Sequence, residues 1–169
     1  EAGTGKSRLV DDFKSSLDLE TVQWREGYAY AYSQNMPYFQ LMDLFSRAWS
    51  IDESDPPESV RRKIETGMGA LLGDPSSALP YVGSLYSLDY PEIESLDPQF
   101  RKTQLTEHVK EILSALCAKG PTIIYLEDLH WADPSSVDLL RAIMTEFQFP
   151  AMFLCVSRPQ FNFFTSHAV

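Results

Sequence analysis

Basic residues, cysteine and histidine are scarce in this sequence, and no long apolar run occurs. Lys and Arg number 14 against 24 Asp and Glu in 169 residues, a formal net charge of −10. Non-specific binding to nucleic acid or to anionic lipid needs a basic field, so neither is expected as a partner. The longest apolar stretches, Ile123 to Leu126 and Ala151 to Val156, are strand-sized and far below the ~18 residues of a membrane span. No bilayer crossing is expected. The two cysteines, Cys117 and Cys155, stand far apart with no C-x-x-C or Cys/His spacing, which excludes a zinc site. Both lie among apolar residues and read as buried, reduced thiols, in keeping with a cytoplasmic protein. His108, His130 and His167 form no ligand cluster.

What is present suits one globular domain with a real core: 44% of residues are hydrophobic and 22% charged. Leu9, Val10, Phe13 and Leu17 predict one apolar helix face over 7–17. Residues 22–30, rich in Val, Trp and Tyr, predict a strand. Pro37 opens a helix with a broad apolar stripe through Phe39, Leu41, Leu44, Phe45, Ala48 and Trp49. The acidic, proline-bearing stretch 52–58 is a surface loop. Val60, Ile64, Met68, Leu71 and Leu72 mark the next helix, residues 79–88 a short one, and Leu105, Val109, Ile112, Leu113 and Leu116 a longer one over 99–118. The run Thr122 to Leu126 lacks polar alternation, as a strand buried on both faces does, and Ala151 to Val156 reads as a second such strand. Asp133-Pro134 between them supplies a helix cap and a first-turn proline. Strands separated by helices imply right-handed crossovers and a parallel sheet, hence an α/β fold.

Two elements carry chemistry. Glu1-Ala2-Gly3-Thr4-Gly5-Lys6-Ser7 fits the tail of G-x-x-x-x-G-K-[ST], with the opening glycine one position before residue 1. The strand presenting the loop is therefore expected upstream, and the sequence is read as a segment of a longer protein. In such a loop backbone N–H groups converge on phosphates and the following helix adds the positive end of its dipole. Gly3, Thr4, Gly5, Lys6, Ser7 and Arg8 make up this nucleotide-binding stretch. Lys6 would reach the β- and γ-phosphates, and the Ser7 hydroxyl would ligate Mg²⁺. The second element is Glu127-Asp128 at the end of the apolar strand. Carboxyl ends of parallel strands open on one edge, so Glu127 would hold Mg²⁺, directly or through water, and Asp128 would orient or deprotonate the attacking water. Arg158, ending the next strand, should reach the same edge and contact the γ-phosphate. Trp131 and Asp133 read as structural, the first packed on the loop and the second capping the helix. His130 is left out of the catalytic set.

The runs Glu1 to Val10 and Leu126-Glu127-Asp128-Leu129-His130-Trp131-Ala132-Asp133-Pro134-Ser135-Ser136 resemble the Orc-like AAA ATPase domain of the signal-transduction (STAND-type) P-loop ATPases. Asn35-Met36-Pro37-Tyr38, Leu96-Asp97-Pro98 with Arg101, and Ser157-Arg158-Pro159 are similar to intermediate blocks of that family. The resemblance spans most of the chain. It implies a P-loop NTPase three-layer sandwich whose five-stranded sheet is ordered 5-1-4-3-2. Residues 1–169 would be a partial AAA domain supplying strands two, three and four, without the first strand, the last strand and the lid.

It further implies that Gly3, Gly5, Lys6 and Ser7 bind ATP and Mg²⁺, that Glu127 and Asp128 form the second acidic motif, and that Arg158 is the first sensor. Glu127 departs from the usual Asp, and its extra methylene favours a water bridge to the metal. Relatives sit beside class III adenylate or guanylate cyclase domains, helix-turn-helix regulators and protein kinases. The resemblance thus implies an output domain outside this segment and admits a nucleotide-dependent oligomer. A regulatory ATPase is the leading expectation, and the segment alone is expected to fold marginally and bind ATP poorly. A switch that binds nucleotide without turnover is one rival. A phosphotransferase acting on a small acceptor is another, for which roughly a hundred residues between the motifs leave room.

Overall fold

The computed structural model describes residues 5–146 and 150–163. Three runs with the β-branched and aromatic character of strands pair in parallel: β1 (Gln23–Tyr28), β2 (Thr122–Glu127) and β3 (Ala151–Cys155), in that spatial order. The register sets Tyr28 opposite Glu127 and Leu126 opposite Cys155, so the carboxyl ends of the strands finish together. The order agrees with strands two, three and four of the expected sheet. An α/β fold of the P-loop type is what these residues form.

Every residue of β2 before Glu127 is buried. Its two faces meet different neighbours, as the period of two along a strand requires. Ile124 and Leu126 enter the large core, while Tyr125 packs with Val10 and Val156 on the other face. The second face is covered by α1 (Lys6–Ser15) through Val10. The large core is built by α2 (Phe39–Trp49), α3 (Pro57–Leu72), α4 (Leu79–Ser84), α5 (Pro91–Glu94), α6 (Pro98–Cys117) and α7 (Pro134–Glu146). Ile64 and Met68 of α3, Val109 and Ile112 of α6 and Ile143 of α7 are among its most deeply buried side chains.

Proline in the first turn starts α3, α4, α5, α6 and α7, a position where its missing N–H costs nothing. Asp97 caps α6 by accepting from the Gln99 and Phe100 amides at 2.9 and 3.0 Å. α2 lies directly on β1, and Gly27 is the reason it can. A Cβ there would stand 2.9 Å from the Gln40 carbonyl oxygen and 3.1 Å from Leu44 Cβ.

Four expectations need correction. Leu9 is 72% exposed, because α1 is short and turns only Val10 into the sheet. β3 is not buried on both faces: as an outer strand of the described sheet it leaves Met152 and Cys155 exposed. Cys155 is thus not the buried thiol expected, whereas Cys117 is. The four-residue α5 was not anticipated, its single buried side chain, Ile93, being too weak a periodic signal.

Gly27→Ala should lower unfolding stability by about 1–3 kcal/mol despite the better strand propensity of alanine, since the added methyl meets backbone that cannot move aside. Denaturant unfolding of the two proteins measures this. An unchanged or higher midpoint would mean that α2 is not held against β1 as described.

Candidate functional site

The edge where the strands end is also where α1 begins. Gly5, at the N-cap, has φ 77° and ψ 10°, and an added Cβ would meet nothing within 4 Å. Glycine is needed there for its left-handed backbone and not for space. Lys6 and Ser7 open the helix, and the Leu9 amide donates to the Gly5 carbonyl at 3.0 Å. Ser7 Oγ donates to Glu127 Oε1 at 3.3 Å, across 120 positions of sequence. The two motifs therefore meet, hydroxyl against carboxylate.

The exit of β2 is held from several sides. Gln40 Nε2 donates to the Glu127 carbonyl at 3.0 Å and to the Gly27 carbonyl at 3.3 Å, tying the ends of β2 and β1 to α2. Asp128 then takes φ 54° and ψ 39°, a left-handed conformation that aspartate tolerates better than most side chains. The turn after it, Leu129–Trp131, is fixed by Trp131 N to Asp128 O at 2.7 Å and Leu129 N to Val156 O at 3.0 Å, with Leu129 itself buried. Val156 N also donates to Leu126 O at 2.9 Å, so the loops leaving β2 and β3 are hydrogen-bonded to each other.

The charges follow this arrangement. Burial, then the Glu127 carboxylate, pushes the Tyr125 phenol up, and burial with Glu26 and Glu127 does the same to Tyr28. Glu127 thus stands beside neutral phenols. Burial lowers the His130 imidazole below its ordinary value; the positive charges of Arg158 and Lys6 add to that, and Asp128 opposes it. His130 Nδ1 is 3.8 Å from Asp128 Oδ1. The Arg158 guanidinium lies 4.8 Å from the centre of the Trp131 ring, a cation–π separation.

Of the residues predicted for the site, Gly5, Lys6, Ser7, Glu127, Asp128 and Arg158 come to one edge. Arg8 faces solvent, with Asp12 at 3.9 Å on its own helix. Gly3 and Thr4 lie outside the described residues. Asp133 is the cap expected of it, accepting from Ser136 N at 2.9 Å and from Ser136 Oγ, and it also accepts from Tyr38 N at 3.1 Å. Gln40 was missed in the sequence; its one signal is helical spacing that sets it in line with buried Leu44. Among the described residues no group of three or more His, Cys, Asp or Glu could hold a metal ion unaided. Ser7 and Glu127 offer the hard oxygen ligands that suit Mg²⁺, which takes the rest of its shell from water and phosphate.

The family described as AAA ATPase domain matches residues 1–156. The chain belongs to that family. The AAA ATPase domain is nucleotide-binding and of the ATPase type. A 66-residue stretch is 35% identical to an uncharacterized protein of Rhizobium meliloti (strain 1021), covering 38% of this chain and 6% of that protein. The matched part is thus a small fraction of its curated relative. No solved structure matches this chain. Among the described residues no helix is long and apolar enough to cross a membrane.

Asp133→Ala should cost about 2 kcal/mol of unfolding stability, because it removes the α7 cap and leaves the buried Ser136 donors and the half-buried Tyr38 amide without this partner. Asp133→Asn should recover much of that. A loss below about 0.5 kcal/mol for the alanine variant, the range of a surface substitution, would contradict the cap.

Proposed function

We propose that this domain binds ATP with Mg²⁺ at the carboxyl edge of its sheet, hydrolyses it, and serves as the regulatory switch of a larger cytoplasmic signalling protein. The observation that carries this reading is the 3.3 Å contact between Ser7 Oγ and Glu127 Oε1. It brings the hydroxyl of the phosphate loop to the acid of the second motif, the pairing a metal–triphosphate site requires.

In this reading the amides of Gly3, Thr4 and Gly5 receive the phosphates with the help of the α1 dipole, and Lys6 neutralises the β- and γ-phosphates. Arg8, at the end of the loop stretch, adds positive charge to its surface. Ser7 and Glu127 hold the cation, Glu127 directly or through water. Bound Mg²⁺ supplies charge neutralisation at the phosphate oxygens. Asp128 orients a water and takes its proton as the water oxygen bonds to the terminal phosphorus. The bond from that phosphorus to the bridging oxygen breaks, giving ADP and inorganic phosphate. Arg158, stacked on Trp131, contacts the terminal phosphate and registers its loss. Since the loops after β2 and β3 are hydrogen-bonded together, a change at one is passed to the other, and an output domain elsewhere in the protein would respond to the shifted equilibrium. By resemblance that output is a cyclase or a transcription regulator, and nucleotide-dependent assembly of copies is a further part of the proposal.

Two variants of the intact protein test this. Lys6→Ala should weaken Mg·ATP binding at least about tenfold. Asp128→Asn should leave binding within about threefold while lowering steady-state phosphate release about a hundredfold or more. Unchanged ATP affinity in Lys6→Ala would sink the nucleotide site. Unchanged phosphate release in Asp128→Asn would remove Asp128 from hydrolysis, and release at background in both proteins would leave a switch that binds without turnover.

A further inference from the structure

His130 is the side chain at this edge whose state the proposed roles do not explain. It is nine-tenths buried, and neither ring nitrogen has a hydrogen-bond partner among the described residues. Leaving such a group unpaired carries its full desolvation cost, and native structures keep few of them without a functional reason. Its surroundings are specific. Asp128 Oδ1 is 3.8 Å from Nδ1, and the ring centre is 4.9 Å from that of Trp131, tilted by 41°. The same Trp131 ring carries Arg158 at 4.8 Å. Lys6 and Arg158 both act on the imidazole through their charges. The unpartnered nitrogens therefore sit among three of the residues assigned to the phosphates and the attacking water.

Resting on the nucleotide-site reading above, we propose that His130 is a γ-phosphate reader. An N–H of its buried imidazole donates to a terminal phosphate oxygen, so the domain holds ATP more tightly than ADP. The tautomer with its proton on Nε2 supplies this donor. A phosphate oxygen only accepts, so it matches an N–H that has nothing else to bond. ADP lacks that oxygen and leaves the nitrogen unpaired. Sites built around a specific hydrogen bond discriminate against analogues lacking the group in this way. Trp131 then acts as a positioning residue, one aromatic platform that fixes both His130 and Arg158.

The test is equilibrium binding by the intact protein of Mg·ADP and of a non-hydrolysed ATP analogue with an imido bridge. His130→Phe, which keeps an aromatic ring and removes both nitrogens, should weaken the analogue about tenfold and leave ADP within about twofold. His130→Gln, which keeps a donor, should restore most of the preference. Equal weakening of both nucleotides, no weakening of either, or a His130→Gln variant as indifferent as His130→Phe would each overturn the inference. So would failure of His130→Phe to fold, since phenylalanine keeps the ring contact with Trp131 and loses no hydrogen bond found among the described residues. A wild-type protein that binds neither nucleotide would overturn the nucleotide-site reading and this inference together.

Discussion

A strand hydrogen-bonded along both edges and apolar on both faces meets water only at its ends. β2 is that strand, flanked in parallel by β1 and β3 and buried along its length up to Glu127. Burial of this kind requires helices on both sides of the sheet, and the helical layers follow from it. It also dictates where charge can appear. Glu127 and Asp128 are the first positions at which β2 can carry carboxylates without burying them, and they stand at the edge where β1, β3 and the start of α1 also arrive.

The rigidity of that edge comes from hydrogen bonds that are not themselves chemical. Gln40 clamps the carbonyls of Gly27 and Glu127 from α2, and Asp43 of the same helix accepts from the Tyr28 amide at 2.8 Å. Gly27 allows α2 to come close enough for both. Asp133 joins α7 to the Tyr38 backbone just ahead of α2. The acids are thus mounted on a frame fixed by side chains from two helices. Glu26 of β1 belongs to the same frame. Burial works to raise its carboxyl, but hydrogen bonds from Trp24 and Lys14, with the charges of Lys14 and Arg47, outweigh this and hold it below the ordinary range.

Much of this was legible in the sequence, for reasons that can be named. The run Thr122 to Leu126 has no polar alternation, which only a doubly buried strand tolerates. Asp133-Pro134 states a helix start in local chemistry, and the glycine before Lys6-Ser7 marks the left-handed backbone that opens α1. Each signal lies within a few residues, so tertiary context cannot hide it. The rest depends on neighbours distant in sequence. Leu9 and Cys155 look apolar and buried in a window, yet their exposure is decided by what packs over α1 and β3. Gln40 reads as an interruption of an apolar stripe until the ends of two strands are placed beside it. His130 was set aside as a lone histidine, and what marks it is the lack of partners for its buried nitrogens among the described residues. Packing creates that property and no motif encodes it.

The central claim is that Ser7 and Glu127, 120 positions apart, act as a single Mg²⁺-dependent nucleotide site. A double-mutant cycle on the Mg²⁺-dependent part of ATP affinity in the intact protein, with Ser7→Ala and Glu127→Gln, tests it most directly. Each single variant should weaken binding about tenfold, and the double variant should be little weaker than the worse single one. Losses that simply multiply would show two residues acting independently and would contradict the account.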